Sequence, residues 1–310
     1  MTSIYTYSCR EEELSLCKLE QRSFFGFDTD ARNVESSLKI DPSRSPFIKE
    51  RVDVIYEGID LKDIIKKMEG FEFHQSTFKV IYVKNNDQSK SEQADFDERR
   101  RVARKIGLHI NGKPDLESPE ALFGIMHVNG RFVFGSYKKN EAIWLHHQKK
   151  PQSYSTALST RVARAVVNIA IPDPRGIKAI DPCCGIGTVL VEARSMGIDM
   201  VGSDLNYLVI PGVLENLAYF GLECEVKQRH IRDVLKTYDA AIIDMPYNLC
   251  SVITEEEQLE MIQSARRFTR RLVVITIEPI DSILHTAGFT IVDRCNVKKG
   301  TFIRQVIVCE

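Results

Sequence analysis

Two short runs of this chain end an apolar segment in an acid followed by a turn: Asp181-Pro182-Cys183-Cys184-Gly185-Ile186-Gly187-Thr188 and, further on, Asp244-Met245-Pro246-Tyr247. In the first, glycines at 185 and 187 let backbone approach a ligand where a Cβ would collide. A dinucleotide loop would read GxGxxG and meet a pyrophosphate; the third glycine is missing here, which fits a nucleoside cofactor without phosphate. In the second, the Asp244 carboxylate and the Met245 carbonyl can accept the two N–H bonds of an exocyclic amine, and Tyr247 can stack on the ring that bears it. Such an amine has its lone pair delocalised into the ring. A site that holds it in line with a positively charged methyl donor supplies most of the rate through orientation, without a metal. The chemistry implied is methyl transfer to nitrogen.

Other residues fill out the cofactor side. An acid near the loop suits the amino group and sulfonium of S-adenosylmethionine, and Thr188 starts the following helix. Asp204 ends the second strand, where a carboxylate accepts from both ribose hydroxyls. Asp233 stands where a third strand should end, able to accept from the adenine amino group, with the Val234 amide beside the ring; a solvated strand-end or helix-cap acid is the competing reading of Asp233. The cofactor set is therefore Asp181, Cys183, Gly185, Gly187, Thr188, Asp204, Asp233 and Val234. Cys183 and Cys184 read as small residues where backbone crowds a ligand, rather than a redox pair or nucleophile.

These residues need a frame, and residues 156–310 supply one by alternating strand-like and helix-like segments, the pattern of a parallel sheet with crossover helices. Strands are predicted at IKAID (177–181), DMVGSD (199–204), CEVKQRHIRDV (224–234), YDAAIIDMPY (238–247) and LVVITIE (272–278). Helices fall at 156–170, from Thr188, over VIPGVLENLAYF to a stop at Gly221, and in a charged stretch that carries Arg266, Arg267, Arg270 and Arg271. TIVDRCNV and TFIRQVIVCE close the chain as an antiparallel hairpin at the sheet edge. The fold class is α/β: a C-terminal Rossmann-like seven-stranded methyltransferase domain with an N-terminal α+β region. Upstream, strands are predicted at 52–58, 78–83, 123–130 and 131–137, with Asn129-Gly130 a hairpin turn. Residues 84–98 read as an exposed connection and 141–155 as a linker.

Composition bounds the rest. The 310 residues are 43% hydrophobic and 27% charged with a formal net charge of −1, so attraction to nucleic acid must come from local basic patches. Eight cysteines without CxxC pairs read as reduced thiols, with no metal site. The start MTSIYTYSCREEE lacks a signal peptide's pattern and no apolar run approaches membrane length, which predicts a cytoplasmic protein with no membrane contact.

KKPQSYSTALSTRVARAVVNIA followed by IDPCCGIGTVLVEA, GSDLN and DMPY resembles the THUMP-domain tRNA guanosine-N2 methyltransferases, which modify guanosine at position ten of tRNA. DLESPEALFGIMHVNGRFVFGSY looks like the last part of a THUMP domain. The resemblance implies a ferredoxin-like accessory region over 1–70, a THUMP-like RNA-binding domain over 71–140 and the methyltransferase domain over 156–310, with tRNA as partner. It implies phosphate contacts from Arg99, Arg100, Arg101, Arg104 and Lys105, and from Lys149 and Lys150; a solvated basic helix face is the competing reading of the first five. In these enzymes the second position of the tetrapeptide is usually proline, where this chain has Met245. A small partner protein would account for the modest basicity. An amine of DNA or rRNA, or a protein glutamine, is the alternative acceptor, and a non-catalytic RNA-binding protein with a degenerate fold is the alternative class.

Overall fold

The computed structural model describes residues 2–74, 76–89, 93–154, 157–246, 253–299 and 302–310. They form two compact units, one made of the chain up to Ser8 with Thr29–Glu141, the other of Cys9–Asp28 with Ala142–Glu310.

The first unit starts with β1 (Ser3–Tyr7); α1 (Leu14–Phe25) follows in sequence but belongs to the second unit. Then come β2 (Asn33–Ser36), β3 (Ile48–Gly58), α2 (Leu61–Met68), β4 (Thr77–Tyr82), α3 (Phe96–Gly107), β5 (Lys113–Pro114), β6 (Ala121–Val128) and β7 (Arg131–Lys139). The strands form one sheet in the order β2-β1-β3-β7-β6-β4-β5. Aspartates cap both helices, Asp60 accepting from the Asp63 amide at 2.8 Å and Asp95 from the Glu98 amide at 2.8 Å. Their apolar faces, Ile64 and Met68 on α2 with Val102 and Ile106 on α3, join Phe78, Phe123 and Phe134 in one core. The β6–β7 hairpin turns at Asn129 and Gly130, with φ of 49° and 75°, as a two-residue primed turn requires.

The boundary expected at residue 70 differs from what is observed. It falls between α2 and β4, inside a unit whose single sheet draws strands from both sides, because Glu50–Gly58 of β3 pair with Phe132–Lys139 of β7. Long-range pairing of this kind leaves no local signal in the chain.

The second unit contains α1, α4 (Trp144–His147), α5 (Thr160–Ala170), β8 (Lys178–Asp181), α6 (Thr188–Ser195), β9 (Asp199–Asp204), α7 (Ile210–Tyr219), β10 (Val226–Gln228), β11 (Tyr238–Asp244), α8 (Glu255–Phe268), β12 (Thr269–Thr276), α9 (Asp281–Thr286), β13 (Ile291–Lys299) and β14 (Phe302–Cys309). The sheet order is β10-β9-β8-β11-β12-β14-β13. Its first five strands are parallel and β14 is antiparallel to both neighbours, so the terminal hairpin lies where the sequence placed it. Strand order reverses between β8 and β11, and a doubly wound sheet opens a crevice beyond the carboxyl ends of the strands at that point.

Three details depart from expectation. Arg270 and Arg271 open β12 rather than continuing α8; Arg271 donates to the carbonyls of Ile169 and Ala170, at 3.1 and 3.0 Å, and so caps the end of α5. The stretch read as a linker is built into this unit: Trp144 and His147 are buried, and His147 Nδ1 lies 2.7 Å from Oε1 of Glu192, whose other oxygen accepts from Arg164 at 2.7 Å. Finally, α1 packs on α5 and β13: Asn168 donates to Glu20, Arg22 to Asp293, and Arg161 to Glu13 just before the helix. Among the described residues, no helix is long and apolar enough to cross a membrane.

Candidate active site

Beyond the carboxyl ends of β8, β9 and β11 lies a cavity of about 640 Å³. Asp181, Asp204 and Asp244, the last residues of these strands, all line it. The loop after β8 follows the shape its sequence implies. Asp181 accepts from the Cys183 amide at 3.2 Å, the Cys184 amide donates to the Ser203 carbonyl at 3.0 Å, and the Gly185 amide donates to Asp204 Oδ2 at 2.8 Å. Asp204 Oδ1 accepts from the Asn206 amide at 2.9 Å. The two acids therefore brace the loop as well as facing the cavity.

Gly185 has φ +52°, and a Cβ on it would stand 2.3 Å from the hydroxyl of Tyr154. Gly187, φ +77°, faces elsewhere: a Cβ there would stand 2.1 Å from Val213 Cγ2, so this glycine seats the loop against α7 and does not line the cavity. Thr188 lines the cavity, and its buried Oγ1 has no hydrogen-bond partner among the described residues.

The electrostatics are those of acids crowded together. Burial pushes the Asp181 carboxyl well up, the Cys183 amide opposes this, and the charges of Asp204 and Asp244 add to the rise. Burial, then the same carboxylates, push the Cys183 thiol up as well, and burial followed by Asp181 and Asp204 does so for Cys184. Both thiols are held in the protonated form, which agrees with small packing residues and opposes a thiolate nucleophile. The Tyr154 phenol is pushed up to about 12 by burial and by Asp204, Asp244 and Asp181.

At the end of β11, Met245 and Pro246 line the cavity beside Asp244. The Met245 amide donates to the Ile275 carbonyl at 2.9 Å, extending the β11–β12 ladder by one residue, and its side chain, 2% exposed, is buried in the core with Ile243 and Ile262. A proline at 245 could not make that bond. The rigidity that a proline ring would provide is here supplied by a ladder hydrogen bond and a buried side chain. Tyr247 lies outside the described residues.

The other expected residues separate. Asp233 is exposed and Val234 is buried in the core, and neither lines the cavity; their neighbours His230, Ile231 and Arg232 do. The short turn Ile231–Asp233 rotates the acid outward, an effect that strand-end reasoning does not anticipate. On α3, Arg100, Arg101, Arg104 and Lys105 are exposed, while Arg99 is half-buried and donates to the Asp95 carbonyl at 3.1 Å. Lys149 is exposed and Lys150 half-buried. Cavity residues that the sequence did not single out include Tyr154, Leu158, Leu205, Glu257 and Glu260. Tyr154 was hidden inside the supposed linker; the glutamates read only as a charged helix start.

Sheet order, terminal hairpin and a cavity at the strand reversal together define the fold of a Rossmann-like methyltransferase domain. Residues 147–278 match UPF0020, the RMKL-like methyltransferase domain. The chain is 31% identical over 173 residues to the tRNA (guanine(10)-N2)-dimethyltransferase of Methanothermobacter thermautotrophicus, covering 51% of this chain and 50% of that protein. It is 29% identical over 161 residues to the enzyme of the same name from Pyrococcus abyssi, covering 47% of each. The chain thus spans about half the length of the curated relatives it matches. In fold it is similar to TrmN from Thermus thermophilus, with a TM-score of 0.50 at 16% identity over 100% of this chain and 99% of that one.

Proposed function

We propose that this protein transfers a methyl group from S-adenosylmethionine to N2 of a guanosine in tRNA, of the position-ten type. The observation that carries the reading is one cavity bounded by Asp181 and Asp204 on one wall and by Asp244, Met245 and Pro246 on the other. Three carboxylates around a cavity suit a ligand with two positive groups, and the buried, unpartnered Thr188 hydroxyl suits one with polar atoms to offer. Asp181 would hold the ammonium group and Asp204 the ribose hydroxyls, and the bound cofactor supplies an electrophilic methyl. On the acceptor side, the Asp244 carboxylate and Met245 carbonyl take the two N–H bonds of the amine and direct its lone pair. Pro246 brings no backbone N–H into this acceptor-lined corner. The guanine must leave its stack to enter.

In the same reading the exposed cations of α3, with Lys149 and Lys150, contact tRNA phosphates. The first unit, the chain up to Ser8 with Thr29–Glu141, acts as the THUMP-like RNA-binding element. The protein works in the cytoplasm, with a small partner supplementing its modest basicity. The relatives' names, tRNA (guanine(10)-N2)-dimethyltransferase, support the choice of acceptor over DNA or glutamine.

Mass spectrometry of nucleosides from total tRNA of a deletion strain tests the reading. N2-methylguanosine at position ten is expected to disappear and to return with the wild-type gene; an unchanged level overturns the acceptor assignment. Cofactor binding has its own signature. Asp181 is pushed up by burial in the free protein, and a cation beside it favours the ionised form. Binding therefore expels a proton at pH values below the raised pKa, so affinity tightens as pH rises and levels off once Asp181 is ionised without ligand. Calorimetry in buffers of different ionisation enthalpy should detect that proton, and Asp181→Asn should abolish it.

A further inference from the structure

S-adenosylmethionine carries one anionic group, its carboxylate, on the same carbon as the ammonium group. With Asp181 holding the ammonium, the carboxylate lies within a residue's reach of Asp181, in a cavity whose other acids, Asp204, Asp244, Glu257 and Glu260, all repel it. A donor is needed there. Arg232 is engaged with Glu260 at 3.5 Å on the side of the cavity that follows β10. The Tyr154 hydroxyl, in contrast, lies against Gly185 in the loop that begins at Asp181, and it feels the charges of Asp181, Asp204 and Asp244. Those charges and burial keep the phenol protonated, hence a donor, throughout the physiological range.

The approach of Tyr154 is also fixed. Two residues earlier, the Gln152 amide donates to Asn216 Oδ1 at 2.8 Å, and Asn216 Nδ2 donates to the carbonyls of Gln152 and Ile186 at 3.1 and 2.9 Å. Asn216, fully buried on α7, ties the irregular segment carrying Tyr154 to the loop after β8, so the phenol and Gly185 share one anchor.

We infer that Tyr154 is a further cofactor-binding residue whose phenol O–H donates a hydrogen bond to the carboxylate of S-adenosylmethionine. The inference rests on the functional reading above. Titration of wild type and Tyr154→Phe with S-adenosylhomocysteine and with 5′-methylthioadenosine, which lacks the amino-acid carboxylate, tests it. The variant should bind S-adenosylhomocysteine roughly tenfold to a hundredfold more weakly, the loss of one charge-assisted bond, and 5′-methylthioadenosine unchanged. Equal weakening toward both ligands, or no weakening toward either, overturns it. A wild-type protein that binds neither nucleoside overturns the methyltransferase reading and this inference with it.

Discussion

Asp244→Ala is expected to lower kcat for methyl transfer by about a hundredfold to a thousandfold, the usual cost of removing one preorganised polar group from a reacting centre. Its Kd for S-adenosylmethionine should change far less, because Asp244 ends β11 beside Met245 and Pro246 while the loop after β8 is braced by Asp181 and Asp204. Without the carboxylate, the amine retains only the Met245 carbonyl to orient it, and its lone pair is no longer directed at the methyl group. Asp244→Asn should fall between alanine and wild type, since an amide oxygen can still accept one N–H while the amide nitrogen cannot. Single-turnover kinetics separates the effects. A Kd that rises as much as kcat falls would place Asp244 among the cofactor's ligands instead. A second readout is independent of rate: the charge of Asp244 helps to raise the Asp181 carboxyl, so its removal should move the proton release on cofactor binding to lower pH.

The place of Asp244 at the cavity was legible in the sequence because an apolar run that stops at an acid is a local signal. The same holds for Asp181, Asp204 and the strands that end in them, where an apolar run stops at an acid and a glycine turn follows. Asp233 marks where local reading stops. It satisfies the same strand-end pattern, yet the turn Ile231–Asp233 directs it to solvent and leaves Ile231 and Arg232 to line the cavity. Tyr154 was overlooked for the opposite reason, since it sits in a polar, proline-containing stretch whose order comes from a buried asparagine on α7 distant in sequence. Met245 shows how a departure from a motif can be compensated out of view. The Ile275 carbonyl that holds it belongs to the neighbouring strand, and pairing between parallel strands is written in neither of them alone.

The widest gap between sequence and structure concerns α1, and it leads to the largest expected effect on stability. A fragment beginning at residue 142 contains every sheet strand of the second unit and all of the domain that the sequence places at 156–310, yet it should not fold. In the intact unit α1 buries Leu16, Leu19 and Phe24, which at roughly 1.5–3 kcal/mol per side chain amounts to a loss comparable with the whole 5–15 kcal/mol stability of a typical domain. Its removal also takes away Glu20, fully buried, from Asn168, itself fully buried on α5, and both Arg22 bonds from Asp293 on β13. Asn168, uncovered by the loss of α1, exchanges its bond to Glu20 for water, so the lost apolar burial is the term that decides. The fragment should be aggregated or molten by near-ultraviolet circular dichroism, and addition of a peptide spanning 9–28 should restore cooperative unfolding. A cooperatively folded fragment of native stability without the peptide would mean that α1 covers the sheet without supporting it.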